Sequence, residues 1–127
     1  MIIGIGTDIV SIARIRDTYA RQGAAFTKHL LSDSELTEFV TVKVPEPWLA
    51  KRWAAKEAFG KAAGTGILVP LTLSGIGVQH DALGRPFFDL APTVQAFLNT
   101  MGISQTHLSI SDEREHAIAF AVFENRA

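Results

Sequence analysis

Cysteine is absent from the 127 residues of this chain, which excludes disulfides, thiolate catalysis and cysteine zinc sites. Histidine is scarce. The four present, His29, His80, His107 and His116, have no ligand-like close spacing, so zinc is not expected. Neither sign of charge dominates: 12 basic residues face 13 acidic ones, for a formal charge of -1. That balance argues against a broad nucleic-acid footprint. The apolar run at 117–123 is far too short to span a bilayer. Met1-Ile2-Ile3-Gly4-Ile5-Gly6-Thr7-Asp8 lacks the basic start and long apolar stretch of a signal peptide. The expectation is a cytoplasmic protein with neither membrane nor nucleic acid as partner.

What the chain does have is the material for a core. It is 47% hydrophobic and 20% charged, which rules out global disorder. Its length fits one domain, 1–127. A monomer of this size leaves much of its surface in water, so association with copies of itself would help.

The pattern predicts an α+β domain of antiparallel strands with packed helices. The apolar run 1–5 reads as a buried strand, loosened by Gly4 and Gly6 just before Thr7-Asp8. Ser11 is placed to cap a helix with Ile12, Ile15 and Tyr19 on one stripe and Gly23 near its end. Ser32-Asp33-Ser34-Glu35 has capping-box spacing and opens a short helix that ends before Pro45. Pro47 suits the first turn of a helix running to about Ala63, stopped by Gly64-Thr65-Gly66. Strands at 76–80 and 86–90 flank one hairpin turn, and those at 107–111 and 117–123 flank another. A helix over 92–101 lies between the two hairpins.

Asp8 is the first residue with chemical promise. It is a carboxylate after an apolar strand and two glycines, which suits a cleft that a ligand approaches closely. A turn aspartate that caps the following backbone is the alternative, and the one local turn preferences favour. Gly4-Ile5-Gly6 is no dinucleotide fingerprint, because Ile9 stands where the third glycine is needed. The helix at 47–63 places Trp48, Leu49, Trp53 and Phe59 on one apolar arc. Arg52 and Lys56 fall inside that arc, where a cation is unfavourable unless something anionic meets it. Stacking on the tryptophans or snorkelling to water would account for them as well. Glu57 and Lys61 lie at the flank, one turn apart, as a site pair or as a surface pair. Gly64-Thr65-Gly66 serves either as a helix stop or as a phosphate-binding turn. Alternation puts His107, Ser109 and Ser111 on one strand face. Arg14 and Arg21 share one side of the first helix, as solvated charges or as a docking stripe for an acidic protein.

Together these segments resemble a known family. Gly4-Ile5-Gly6-Thr7-Asp8-Ile9-Val10, Arg14-Ile15 and Arg52-Trp53-Ala54-Ala55-Lys56-Glu57-Ala58-Phe59-Gly60-Lys61-Ala62 are similar to the holo-[acyl-carrier-protein] synthases. Gly64-Thr65-Gly66-Ile67, Leu83-Gly84-Arg85-Pro86 and His107-Leu108-Ser109-Ile110-Ser111-Asp112 continue the likeness. The resemblance implies the 4′-phosphopantetheinyl transferase fold and a homotrimer with active sites between subunits. It implies magnesium-dependent transfer of 4′-phosphopantetheine from coenzyme A to a serine of acyl carrier protein, leaving adenosine 3′,5′-bisphosphate. Fatty acid biosynthesis is the pathway it points to. Asp8 and Glu57 would be the metal ligands, hard oxygen donors of the kind magnesium takes. Lys61 would neutralise the pyrophosphate, and His107 resembles the family's phosphate-side histidine. Arg52, Gly64, Gly66, Arg85 and Pro86 resemble positions around the nucleotide, and Arg14 and Arg21 would meet the acidic carrier. The proton acceptor is Glu57 or a metal-bound water. Carrier domains of polyketide or peptide synthesis are an alternative substrate. A catalytically silent nucleotide-binding module is the non-enzyme alternative, which the intact Asp8, Glu57 and Lys61 oppose.

Overall fold

The computed structural model describes residues 1–126. The chain order is β1 (Ile2–Ser11), α1 (Ile12–Gln22), α2 (Ala24–Leu30), α3 (Asp33–Phe39) and α4 (Pro45–Ala63), followed by β2 (Ile76–His80), β3 (Pro86–Leu90), α5 (Pro92–Thr100), β4 (Gln105–Asp112) and β5 (His116–Glu124). The strands make a three-stranded antiparallel sheet in the order β1-β5-β4 and a separate β2-β3 hairpin. Helix α4 crosses between them and packs on β1 and β5. Most of its 19 residues that face neither solvent nor the site are Ala, Leu or Phe and are buried. A helix buried along most of its length belongs in the middle of a fold.

The local signals act as their chemistry dictates. Ser11 Oγ accepts from the Arg14 amide and opens α1. Ser32 and Glu35 form a reciprocal capping box on α3. Gly64, in the left-handed region, closes α4. Both hairpins and α5 lie where the pattern puts them, to within two residues. Helix α4 begins at Pro45 rather than Pro47. Helix α2 has no counterpart in the sequence reading, because its N-cap is Gly23 with no side chain to signal the start. It is held instead by burial of Phe26 and Leu30.

The first strand corrects an expectation. It runs ten residues, paired along β5 from Ile2 to Ser11, so Asp8 sits within a strand and not in a turn after one. Nor is the apolar run buried as a whole. Gly4, Gly6, Asp8 and Val10 point toward α4, whereas Ile3, Ile5 and Ile9 are exposed. With Ile118 and Phe120 of β5 they make an apolar outer face on the sheet.

Candidate active site

Two glycines decide how near α4 comes to β1. A Cβ on Gly4 would overlap the Ala62 carbonyl oxygen, and one on Gly6 would overlap the Ala58 carbonyl oxygen. With hydrogen in those places the strand lies directly on the helix backbone. The next inward residue is Asp8, and the helix side chain opposite it is Lys61. Lys61 Nζ lies 3.2 Å from Asp8 Oδ1. The Asp8 side chain is 15% exposed and that of Lys61 is 55% exposed, so the pair opens to solvent.

Glu57, one turn before Lys61, joins them. Partial burial and the negative charge of Asp8 push its carboxyl pKa up, while Lys61 and Arg14 pull it down. Those influences gather four residues from three elements: Asp8 of β1, Arg14 of α1, and Glu57 and Lys61 of α4. Two mutually repelling carboxylates with a half-exposed cation beside them can hold a divalent ion through oxygen donors. The donor set therefore fits magnesium.

Arg52 does not join this group. Its side chain is 3% exposed, with Nη2 3.1 Å from Glu38 Oε2 and its guanidinium 3.7 Å above the Trp48 ring. Its Nε lies 3.4 Å from Glu35 Oε2, near enough for attraction but too poorly aligned for a hydrogen bond. Burial lowers its pKa, against the raising effect of Glu35 and Glu38. Within the chain, Arg52, expected beside a nucleotide, is a partner of α3. Lys56 is likewise enclosed. It donates to Glu35 Oε1 at 2.6 Å and to the carbonyls of Leu30 and Leu73. The anion that the embedded cations require is Glu35, which sequence reasoning saw only as half of a capping box.

Gly64 and Gly66 form the turn beyond Lys61, both with positive φ. The Gly64 amide donates to Lys61 O and the Gly66 amide to Gly60 O. These two amides are therefore engaged within the chain and not free for a phosphate. What the turn retains is a close, side-chain-free approach near Lys61.

Arg85, Pro86 and His107 come together elsewhere. With Asp81, Phe87, Thr106 and Leu108 they line a cleft of about 420 Å³ between the β2-β3 hairpin and β4. His107 Nε2 is 2.7 Å from Glu124 Oε1, which Arg126 also contacts. The His107 hydrogen bond is the main reason that the Glu124 pKa is lowered. Asp81 accepts from the Leu83 and Arg85 amides and sets the hairpin turn. His107 pairs with Val122 in β5, which pairs with Ile5 in β1. It thus stands two strands from β1 and three positions from Asp8, on the opposite face of the sheet. Within one chain the two groups of site residues face different ways.

Arg14 and Arg21 are exposed on the same side of α1, seven residues apart. Neither is in an ion pair among the described residues. A second acidic group, Glu113, Glu115 and His116, sits exposed in the β4-β5 turn. It includes neither Asp8 nor Glu57, and His116 and Glu113 already pair with each other.

The family model described as the 4′-phosphopantetheinyl transferase superfamily matches residues 4–121. The holo-[acyl-carrier-protein] synthase of Laribacter hongkongensis is 48% identical over 124 residues, covering 98% of this chain and 99% of its own length. The crystal structure of the Neisseria meningitidis holo-[acyl-carrier-protein] synthase is similar at a TM-score of 0.96 and 48% identity. It covers 98% of this chain and 100% of its own. The Helicobacter pylori synthase, solved in complex with coenzyme A, has a TM-score of 0.82 and 32% identity, over 94% of this chain and 99% of its own.

Proposed function

Because this chain belongs to the 4′-phosphopantetheinyl transferase superfamily, we propose that it moves the 4′-phosphopantetheine group of coenzyme A onto a serine of apo acyl carrier protein. The observation that carries the reading is the Asp8–Glu57–Lys61 cluster at the glycine seam between β1 and α4. The serine hydroxyl oxygen forms a bond to the phosphorus that bears pantetheine. The bond from that phosphorus to the bridging oxygen breaks, and adenosine 3′,5′-bisphosphate leaves with the bond electrons. Lys61 offsets charge on the pyrophosphate as the leaving group departs. Glu57, its pKa raised by burial and by the Asp8 charge and its carboxylate beside Lys61, or a metal-bound water, would take up the serine proton. Magnesium held by Asp8 and Glu57 would supply further neutralisation of the phosphates. Arg14 and Arg21 offer an exposed cationic stripe beside the cluster for an acidic carrier.

The whole chain, 1–127, acts in this reading as one transferase domain. The cleft with Arg85, Pro86 and His107 suits the nucleotide, the positions near Gly64 and Gly66 its close approach. Yet that cleft lies across the sheet from Asp8, and the outer sheet face between them is apolar and open. Ile5 is 59% and Ile9 61% exposed there. A homotrimer packed through this face is the assembly we propose, with active sites shared between subunits. We place the reaction in the cytoplasm and in fatty acid biosynthesis; no helix among the described residues is long and apolar enough to cross a membrane. Incubation with coenzyme A, magnesium and apo acyl carrier protein should add the mass of one phosphopantetheine to the carrier. A carrier of unchanged mass would overturn the reading.

A further inference from the structure

We propose that Glu35 is a positioning residue for the transferase site, acting through Lys56 to fix the rotation of α4 that presents Glu57 and Lys61 to Asp8. The inference rests on the function proposed above. Its basis is where the contacts of α4 fall around the helix axis. Successive residues of an α-helix are turned by about 100°. Taking Lys56 as the origin, Ala58 lies about 200° away and Ala62 about 240° away, which is the side against Gly6 and Gly4. Glu57 and Lys61 lie between, at about 100° and 140°. The helix is thus held on two opposed sides, and the site residues project from the open sector between them.

The two attachments differ in kind. The seam is backbone against backbone, with Ala58, Ala62 and two glycines. Such contact sets distance but offers few directional restraints on roll. The Lys56 side is directional. Lys56 is 0% exposed, and its three ammonium hydrogens go to Glu35 Oε1, Leu30 O and Leu73 O. Glu35 is 1% exposed and is itself tied to three further groups. Oε1 accepts from the Ser32 amide, Oε2 from the Val78 amide, and Arg52 lies alongside. One carboxylate therefore joins α3, α4 and β2, and Lys56 adds the end of α2 and the segment before β2. Glu57 is the very next residue. A roll of α4 that moved Lys56 would carry Glu57 and Lys61 with it. Misplacement of reacting groups by about 1 Å is enough to slow a reaction on the order of 100-fold.

The test compares Lys56→Met, the charge-balanced double variant Glu35→Gln/Lys56→Met, and Leu98→Ala. Leu98 is 1% exposed on α5, an element that carries no residue of the site, and its truncation lowers stability by opening a cavity. Each is assayed well below its unfolding temperature, with kcat and the KM of the carrier measured separately. Mn2+ binding in the presence of adenosine 3′,5′-bisphosphate is followed by water-proton relaxation. The lock variants should lower kcat about 30- to 100-fold, weaken Mn2+ about tenfold, and leave the carrier KM within a factor of two. Leu98→Ala should lower the melting temperature while leaving kcat and Mn2+ affinity unchanged. If Lys56→Met does not fold, the double variant, which buries no unpaired charge at Glu35 or Lys56, carries the test. Unchanged kcat and Mn2+ affinity in folded lock variants, or equal losses in Leu98→Ala, would overturn the proposal. An inactive wild-type protein would instead overturn the transferase reading.

Discussion

Lys56 and Lys61 stand five residues apart on one helix and meet opposite surroundings. Lys56 is wholly enclosed, with every ammonium hydrogen directed at an acceptor. Lys61 is half exposed and makes a single 3.2 Å contact with Asp8. Burial lowers the Lys56 pKa to about 8, even though the Glu35 charge and hydrogen bond raise it. The difference separates two uses of a charge. A cation with all its donors engaged has nothing left to offer a ligand, so it holds the fold. A cation with free donors beside two carboxylates has capacity in reserve, which is what binding a phosphate requires.

The contrast is broken most severely from the site side. Asp8→Ala and Glu57→Ala should each lower phosphopantetheine transfer on the order of 10³-fold, with urea midpoints close to the parent's. Retention of magnesium-dependent turnover in either would remove that residue from the metal-binding role. From the other side, Glu35→Ala leaves Lys56 buried with its main anion gone and Arg52 with one partner fewer. Loss of one member of such a group costs about 3–5 kcal/mol, measurable by urea unfolding. A loss below 1 kcal/mol would mean that the enclosed network contributes little to stability.

The same contrast explains what could be read from the sequence. Elements announced by local chemistry were legible: the Ser11 cap, the Ser32–Glu35 box, the Gly64 stop, and the strand pairs around their turns. Lys61 and Glu57 were legible as a pair because one turn of helix separates them. Asp8 was legible as a candidate, though its place inside a ten-residue strand was not. The apolar residues at 2–5 suggested burial, whereas the glycines between them are what actually face the helix. Arg52 and Lys56 were legible only as cations embedded in an apolar arc, for one physical reason. Their partners are 14 or more residues away in sequence, and periodicity along one helix cannot show which anion packs against it. The separation of Asp8 from His107 by the thickness of the sheet was equally hidden, since it follows from the β1-β5-β4 order alone.

A milder perturbation tests whether the exposed charges near the site act on a partner. Arg14→Glu should raise the carrier KM about tenfold, with the coenzyme A KM little changed. The carrier KM of the parent should also rise with salt, because exposed charges are screened. Equal losses for both substrates would instead reflect the influence of Arg14 on Glu57.

The smallest expected effect is the most discriminating, because it predicts a gain in stability where activity is lost. Glu57 is held in the free protein with its pKa above the ordinary 4.5, first through burial and then through Asp8. A carboxyl that binds its proton more tightly when folded stabilises the fold fully below its unfolded pKa. That contribution is lost as pH rises through the raised folded value. At pH 7, with chelator present, ionised Glu57 is therefore a net liability to the free fold. Glu57→Gln keeps the shape and removes the charge. It should raise the melting temperature by about one to two degrees at pH 7, and the gain should vanish near pH 4, where the parent's carboxyl is protonated. Adding magnesium and coenzyme A should reverse the order, because a ligand that binds only the folded parent stabilises it by mass action. A variant no more stable than its parent at pH 7 would show that Asp8 and Glu57 do not strain the empty site. A variant stabilised by magnesium and coenzyme A as much as the parent would show that Glu57 does not hold the ion.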